Sequence, residues 1–140
     1  MEQEKDYIKR EVRKLTLALM KLIDKTVSAN VNNFEAVVFE INEKLNEYFS
    51  LSLNEIVTIE NSELMNKVKG FHEEHLEKLI ELLYQTIQKS EDHDSEFDFE
   101  IKELSNNLML MIDLANDNSK SFSVERMNMK SQLIKNSNKK

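Results

Sequence analysis

The chain lacks cysteine and proline, and its 140 residues include one glycine, Gly70. Without cysteine there is no disulfide framework, no thiol nucleophile, no zinc finger and no thiolate-held iron–sulfur cluster. A single glycine cannot build a glycine-rich phosphate loop, a dinucleotide fingerprint or a set of glycine-dependent hairpins. Long apolar runs are missing too. The longest, Leu108 to Ile112, falls far short of the roughly 20 residues that a bilayer span needs. There is no basic excess: 19 Lys and Arg face 26 Asp and Glu, for a net charge of −7. That sign disfavours nucleic acid or an anionic membrane as partner, because phosphate neutralisation needs clustered bases. Residues 1–13 are highly charged where a secretory signal would turn apolar, so a cytoplasmic protein is expected.

Hydrophobic residues make up 40% and charged residues 32%, the balance of a folded domain rather than a disordered chain. At this length a single domain buries roughly two thirds of its unfolded surface, so a core forms without staples. Fifteen asparagines and many lysines, with few alanines, fit an AT-rich bacterial genome.

Apolar spacing of 4, 3, 4, 3 recurs along the chain, as one face of an α-helix requires. Helix one is predicted over about Lys5 to Ser28, with Ile8, Val12, Leu15, Leu19 and Leu22 inward and Met20, Ile23 and Val27 widening the stripe. Asn32 and Glu35 read as a capping box opening helix two, about Asn33 to Phe49, with Phe34, Val38, Ile41, Leu45 and Tyr48 inward. Ser52 and Glu55 form a second capping box, opening a short third helix near Leu53. The β-branched Ile56, Val57 and Ile59 also suit a brief strand, but no partner strand is visible. Asn61 and Ser62 reset the chain into Glu63–Lys69, which Gly70 is expected to end in the left-handed cap conformation. Helix four covers about His72 to Lys89, with Leu76, Leu79, Ile80, Leu83 and Ile87 inward. Residues 91–96 are a polar break. Helix five covers about Phe97 to Asn116 on Phe97, Ile101, Leu104, Leu108, Met111 and Ala115. Helix six covers about Phe122 to Ile134. The expected fold is all-α: an antiparallel bundle or helix-pair array of five to six helices. Residues 1–134 form one helical domain and 135–140 a flexible basic tail. Roughly three quarters of the chain should be helical. Helix pairs recur at roughly 40-residue spacing, a hint of a repeat array. Against a tetratricopeptide signature, Ala115 is the only alanine of the C-terminal half and the motif's terminal proline is missing.

Four segments, in order, carry a resemblance. They are Asp6-Tyr7-Ile8-Lys9-Arg10 with the amphipathic run to Ile23, Ser52–Lys67, Leu76–Ile87 with its Leu82-Leu83-Tyr84, and Ser121-Phe122-Ser123-Val124-Glu125-Arg126. Together they resemble a family of small uncharacterised all-helical bacterial proteins. The resemblance implies a helical fold whose C-terminal half is tetratricopeptide-like, a scaffold type that serves protein contacts. It brings no activity and no catalytic residues.

Chemistry has few footholds. His72-Glu73-Glu74-His75 places two histidines at i and i+3 on one helical face. The spacing is neither His-Glu-x-x-His nor Glu-x-x-His, so the zinc-protease and di-iron arrangements are absent. Both histidines are expected on a solvated first turn whose acids complement the helix N-terminus. Between Glu91 and Glu100 there are six acids and no Lys or Arg, and Asp92, Asp94, Glu96 and Asp98 alternate as calcium ligands would. The glycine that such a loop needs is missing, so a solvated entry to helix five is expected. No serine sits in a nucleophile elbow, and the acids fall on polar faces. An enzyme, a cofactor and a bound metal are therefore not expected.

Two features point to partners. Helix five is apolar on nearly every face from Leu108 to Leu114, and such a helix is buried in its own domain or against another chain. Met109, Leu110 and Leu114, with Met127 and Met129 of helix six, are the expected surface of a homodimer. The competing account makes helix five the central helix, covered by helices one, four and six. Residues 119–140 carry six bases against Glu125, which suits either contact with an acidic body or a nucleic-acid-linked regulator. A protein–protein interaction module that pairs with itself is the expected function, with the nucleic-acid regulator as the alternative.

Overall fold

The computed structural model describes residues 2–93, 101–118 and 123–138. Among them lie seven α-helices and no strand: α1 (Glu2–Ser28), α2 (Phe34–Phe49), α3 (Leu53–Thr58), α4 (Asn61–Val68), α5 (Glu73–His93), α6 (Ile101–Asn118) and α7 (Val124–Asn138). The all-α expectation holds, with one more helix than foreseen. The segment after Ser52 divides where Ile59 and Glu60 turn extended, giving α3 and α4. α5 runs on to His93, into the expected polar break, and α7 passes Ile134 to reach Asn138. The expected starts at Phe97 and Phe122 lie outside the described residues.

Local chemistry sets the helix ends. The Ser52–Glu55 capping box forms as expected: the Glu55 N–H donates to Ser52 Oγ at 3.2 Å and the Ser52 N–H to Glu55 Oε1 at 3.3 Å. The box expected at Asn32 does not form. Asn33 precedes α2 without a side-chain cap bond. Instead Asn30 Oδ1 accepts from the Asn32 and Asn33 N–H groups, and Asn33 Oδ1 accepts from the Asn30 N–H at 2.8 Å. This reciprocal pair of Asx turns reverses the chain without a glycine.

Gly70 is not the left-handed cap that was expected, because its φ is not positive. That conformation falls on Ser50, at φ 53 and ψ 35, whose N–H closes α2 on Asn46 O at 3.0 Å. A Cβ at Gly70 would meet only Lys67 O, at an ordinary 3.7 Å. Ser50→Gly should therefore raise stability by about 0.5–1 kcal/mol by removing side-chain strain. Gly70→Ala should raise it by about 0.4–1 kcal/mol through the unfolded chain. Urea titration of both variants checks this, and a loss at Gly70→Ala would mean that the position needs its glycine.

Packing follows from the stripes. α1 and α5 lie side by side and parallel: His75 Nε2 sits 2.9 Å from Val12 O near one end and Lys89 Nζ 3.3 Å from Ala29 O near the other. α2 turns back along α1, joined to it by Lys25–Glu40 at 2.8 Å. α5, α6 and α7 form an antiparallel set, so the start of α5, the end of α6 and the start of α7 share one end of the bundle. α3 and α4 flank α6, where the buried Asn107 amide donates to Ile56 O and satisfies a carbonyl in the last turn of α3. Leu19, Ile41, Leu64, Leu79, Leu83, Ile87, Leu104, Leu108 and Met111 are wholly buried between these helices.

α6 is the central helix. From Leu104 to Ala115 only Asn106 is exposed, and α3, α4, α5 and α7 surround it. Its all-round apolar character thus answers to its own chain, through a partly different set of neighbours from the expected one. α1 departs from expectation at its start. Ile8 is on the inward stripe, yet it is 59% exposed, because α5 begins only at the level of Val12. Asp6 to Glu11, before that level, are all exposed. Met20 and Val27 were expected to widen the stripe, but they face solvent.

Candidate functional site

The end of the bundle from which α1 projects holds two of the six buried polar side chains among the described residues, His75 and Arg126. A left-handed residue at Ser50 and the turn at Gly70 bring Phe49 and Phe71 together, stacked with centroids 4.7 Å apart. The His75 ring lies 6.3 Å from Phe49 and 5.4 Å from His72. His75 was expected at the surface. It is buried, and its Nε2 carries the proton that Val12 O accepts. His72 is exposed and caps α5: the Glu74 N–H donates to its Nδ1 at 3.1 Å. Beside them Glu74 Oε2 lies 3.3 Å from the Thr16 hydroxyl of α1.

The two histidines thus have structural work. Among the described residues no three His, Asp or Glu side chains converge as metal ligands would. The acidic stretch lies outside the described residues from Asp94 to Glu100. The protein is expected to keep its melting temperature in chelator, and His75→Ala to cost about 1–2 kcal/mol through the lost bond to α1. Thermal melts with and without chelator check both. A drop of several degrees in chelator alone would reinstate the metal reading.

Arg126 is the residue that the pattern did not single out. It was counted among the solvated bases of the C-terminal segment, but it is 4% exposed. Its Nη1 donates to Glu77 on α5 and its Nε to Asn116 Oδ1 on α6, the latter at 2.7 Å. One guanidinium therefore ties three helices together. The available signal was its phase: Arg126, Met129 and Leu133 recur at 3 and 4, which is the inward stripe of α7. Farther along, Lys130 reaches Asp113 at 2.6 Å.

A cleft of about 130 Å³ opens beside Arg126, lined also by Val68, Phe71, Glu73, Leu76, Glu77 and Ala115. Around it the end face is acidic. Glu73, Glu74, Glu77, Asp117 and Glu125 are all exposed there, and Glu77 pairs with Arg126. Lys67 and Lys69 are exposed bases near this end. Farther along α5, burial and then the charge of Glu91 raise the Tyr84 phenol above its ordinary pKa.

The expected self-association residues are not one exposed patch. Met109, Leu110, Leu114 and Met129 are half-buried, with Met109, Leu114 and Met129 packed against the core, and Met127 is 46% exposed. The exposed apolar residues of α7 are Val124, Met127 and Ile134, at 58%, 46% and 44%. With Ser131 between them they repeat 3, 4, 3 and form a second stripe facing away from the core. A shallow groove of about 520 Å³ continues that face along Asn128, Ser131, Gln132, Ile134 and Lys135. Phe39 and Val31 are also exposed, on and just before α2. Among the described residues no helix is long and apolar enough to cross a membrane. Compared with family models, with curated proteins and with solved structures, the chain matches none.

Proposed function

We propose that the chain is a helical protein–protein interaction module that associates with a second copy of itself. One observation carries this reading: α7 has two apolar stripes and a single bundle to pack against. The inward stripe, Met129 and Leu133 with Arg126, meets α5 and α6. The outward stripe, Val124, Met127 and Ile134, meets solvent. An amphipathic surface helix needs only the first. Met109, Leu110 and Leu114 line the half-buried margin of α6 and extend the candidate surface beyond α7. Their burial makes them poor probes, since a charge placed there would disturb the fold as well as the interface.

The alternative, a nucleic-acid regulator working through the basic C-terminal segment, loses much of its material. Of the three described bases in that segment, Arg126 and Lys130 are committed to Glu77 and Asp113, and Lys135 alone has no acidic partner among the described residues. Likeness to a tetratricopeptide scaffold rests on the sequence resemblance and on the antiparallel run of α5, α6 and α7.

Met127→Glu tests the proposal at an exposed position. It should weaken association at least about tenfold and leave the helical signal and melting temperature unchanged. Sedimentation velocity beside circular dichroism measures both. Unchanged association would remove α7 from the interface. Mixed-sequence nucleic acid should give no salt-dependent complex under the same conditions.

A further inference from the structure

We propose that two copies pair α7 against α7 in antiparallel register, so that Val124 and Met127 of one copy oppose Ile134 and Ser131 of the other. This rests on the self-association reading and names how the partner sits on that face.

The first observation is spacing. Val124, Met127, Ser131 and Ile134 follow one another at 3, 4 and 3, an order that reads the same from either end. On one α-helix all four share a face. Reversing a second copy therefore lays the stripe on itself. Val124 meets the partner's Ile134 and Met127 meets the partner's Ser131, and two-fold symmetry repeats both contacts. The side chains suit these positions. Met127, at 46% exposure, is the longest of the four and comes opposite Ser131, the smallest, which is also exposed. Val124 and Ile134, at 58% and 44%, meet as a β-branched pair. A large residue facing a small one lets two helices interlock, whereas a parallel pair sets Met127 on Met127 and Ser131 on Ser131. Ser131 lies in the shallow groove with Asn128, Gln132 and Lys135, where the partner's Met127 can enter.

The second observation is charge on the flanks of the stripe. Glu125 and Lys135 are exposed on the flank that carries Asn128 and Gln132. In an antiparallel pair each flank lies beside the same flank of the other copy. Glu125 then comes within about 3 Å, along the helix axis, of the level of the partner's Lys135, an offset that both side chains span. Lys130, on the opposite flank, comes near the partner's Lys130, each already paired with its own Asp113. A parallel pair instead sets each Lys135 beside the partner's Lys130, and leaves those two like charges opposed twice over. A second copy is favoured over a foreign helix because the stripe is its own complement in spacing, side-chain size and flanking charge.

The absence of native cysteine makes the register readable. Full-length Met127→Cys and Ser131→Cys chains, mixed under reducing conditions and then oxidised, should join as the heterodimer well beyond the half that random pairing gives. Both positions are exposed in the single copy, so the fold tolerates the changes. Homodimers in excess would mean a parallel pair and would overturn the register while self-association stands. No covalent product from a chain that still sediments as a dimer would also overturn it, by taking α7 out of the interface. Separately, Lys135→Glu should weaken association several-fold, and adding Glu125→Lys to the same chain should restore it. No recovery would contradict the paired flanks. A wild-type chain that sediments as a monomer would overturn both the register and the reading beneath it.

Discussion

Leu104→Ala should lower the unfolding free energy by about 2–5 kcal/mol and the melting temperature by roughly 8–15 °C. Leu104 has no solvent exposure and sits on the central helix, where α3, α4, α5 and α7 close around it. A truncated side chain there leaves a cavity that four helices cannot all move to fill, so the cost exceeds simple transfer. The comparison that sharpens this is Leu15→Ala. Leu15 shares the same helical periodicity but lies half-buried near the point where α1 leaves the body. It should cost roughly half as much or less. Equal costs at the two positions would mean that α6 is no more central than α1. Chemical denaturation of both variants decides it.

Glu77→Ala should cost about 3 kcal/mol, more than Arg126→Met at the other end of the same ion pair. The asymmetry comes from burial. The Arg126 side chain is 5% exposed and that of Glu77 is 49% exposed. Removing Glu77 takes a carboxylate away from a buried guanidinium, which keeps its bond to Asn116. Removing the guanidinium instead returns Glu77 to water, and methionine retains most of the apolar stem between α5, α6 and α7. Arg126→Met should therefore cost about 1 kcal/mol or less. If Arg126→Met proved the worse of the two, the guanidinium would be holding the end of the bundle mainly through Asn116 and α6 rather than through Glu77.

These two sites mark how far periodicity reaches. Leu76, Leu79, Ile80, Leu83 and Ile87 were legible because a helix lying along its neighbours for its whole length buries one unbroken face, and all five are buried. The start of α3 was legible because a capping box is local. Ile8 was not, since the stripe reports the phase of α1 and says nothing of where α5 begins. Arg126 sits on the inward stripe of α7, but a base in phase with two apolar residues looks like an interruption until Glu77 arrives from another helix. His75 was hidden for the same reason: its partner is the Val12 carbonyl, 63 residues away. At Ser50 and Gly70 the preference for glycine in a left-handed cap pointed to the wrong residue, because tertiary packing set that conformation on a serine. The apolar richness of α6 was read correctly as burial. Which chain does the burying was open, and the described neighbours of α6 are its own.

The outward face of α7 leads to one claim, that the molecule is completed by a second copy. Sedimentation equilibrium of the purified full-length chain at micromolar concentration tests it most directly. The account predicts a two-fold mass that falls toward the single chain on dilution and in the Met127→Glu variant. A mass of 16.5 kDa throughout, with the fold intact, would contradict it.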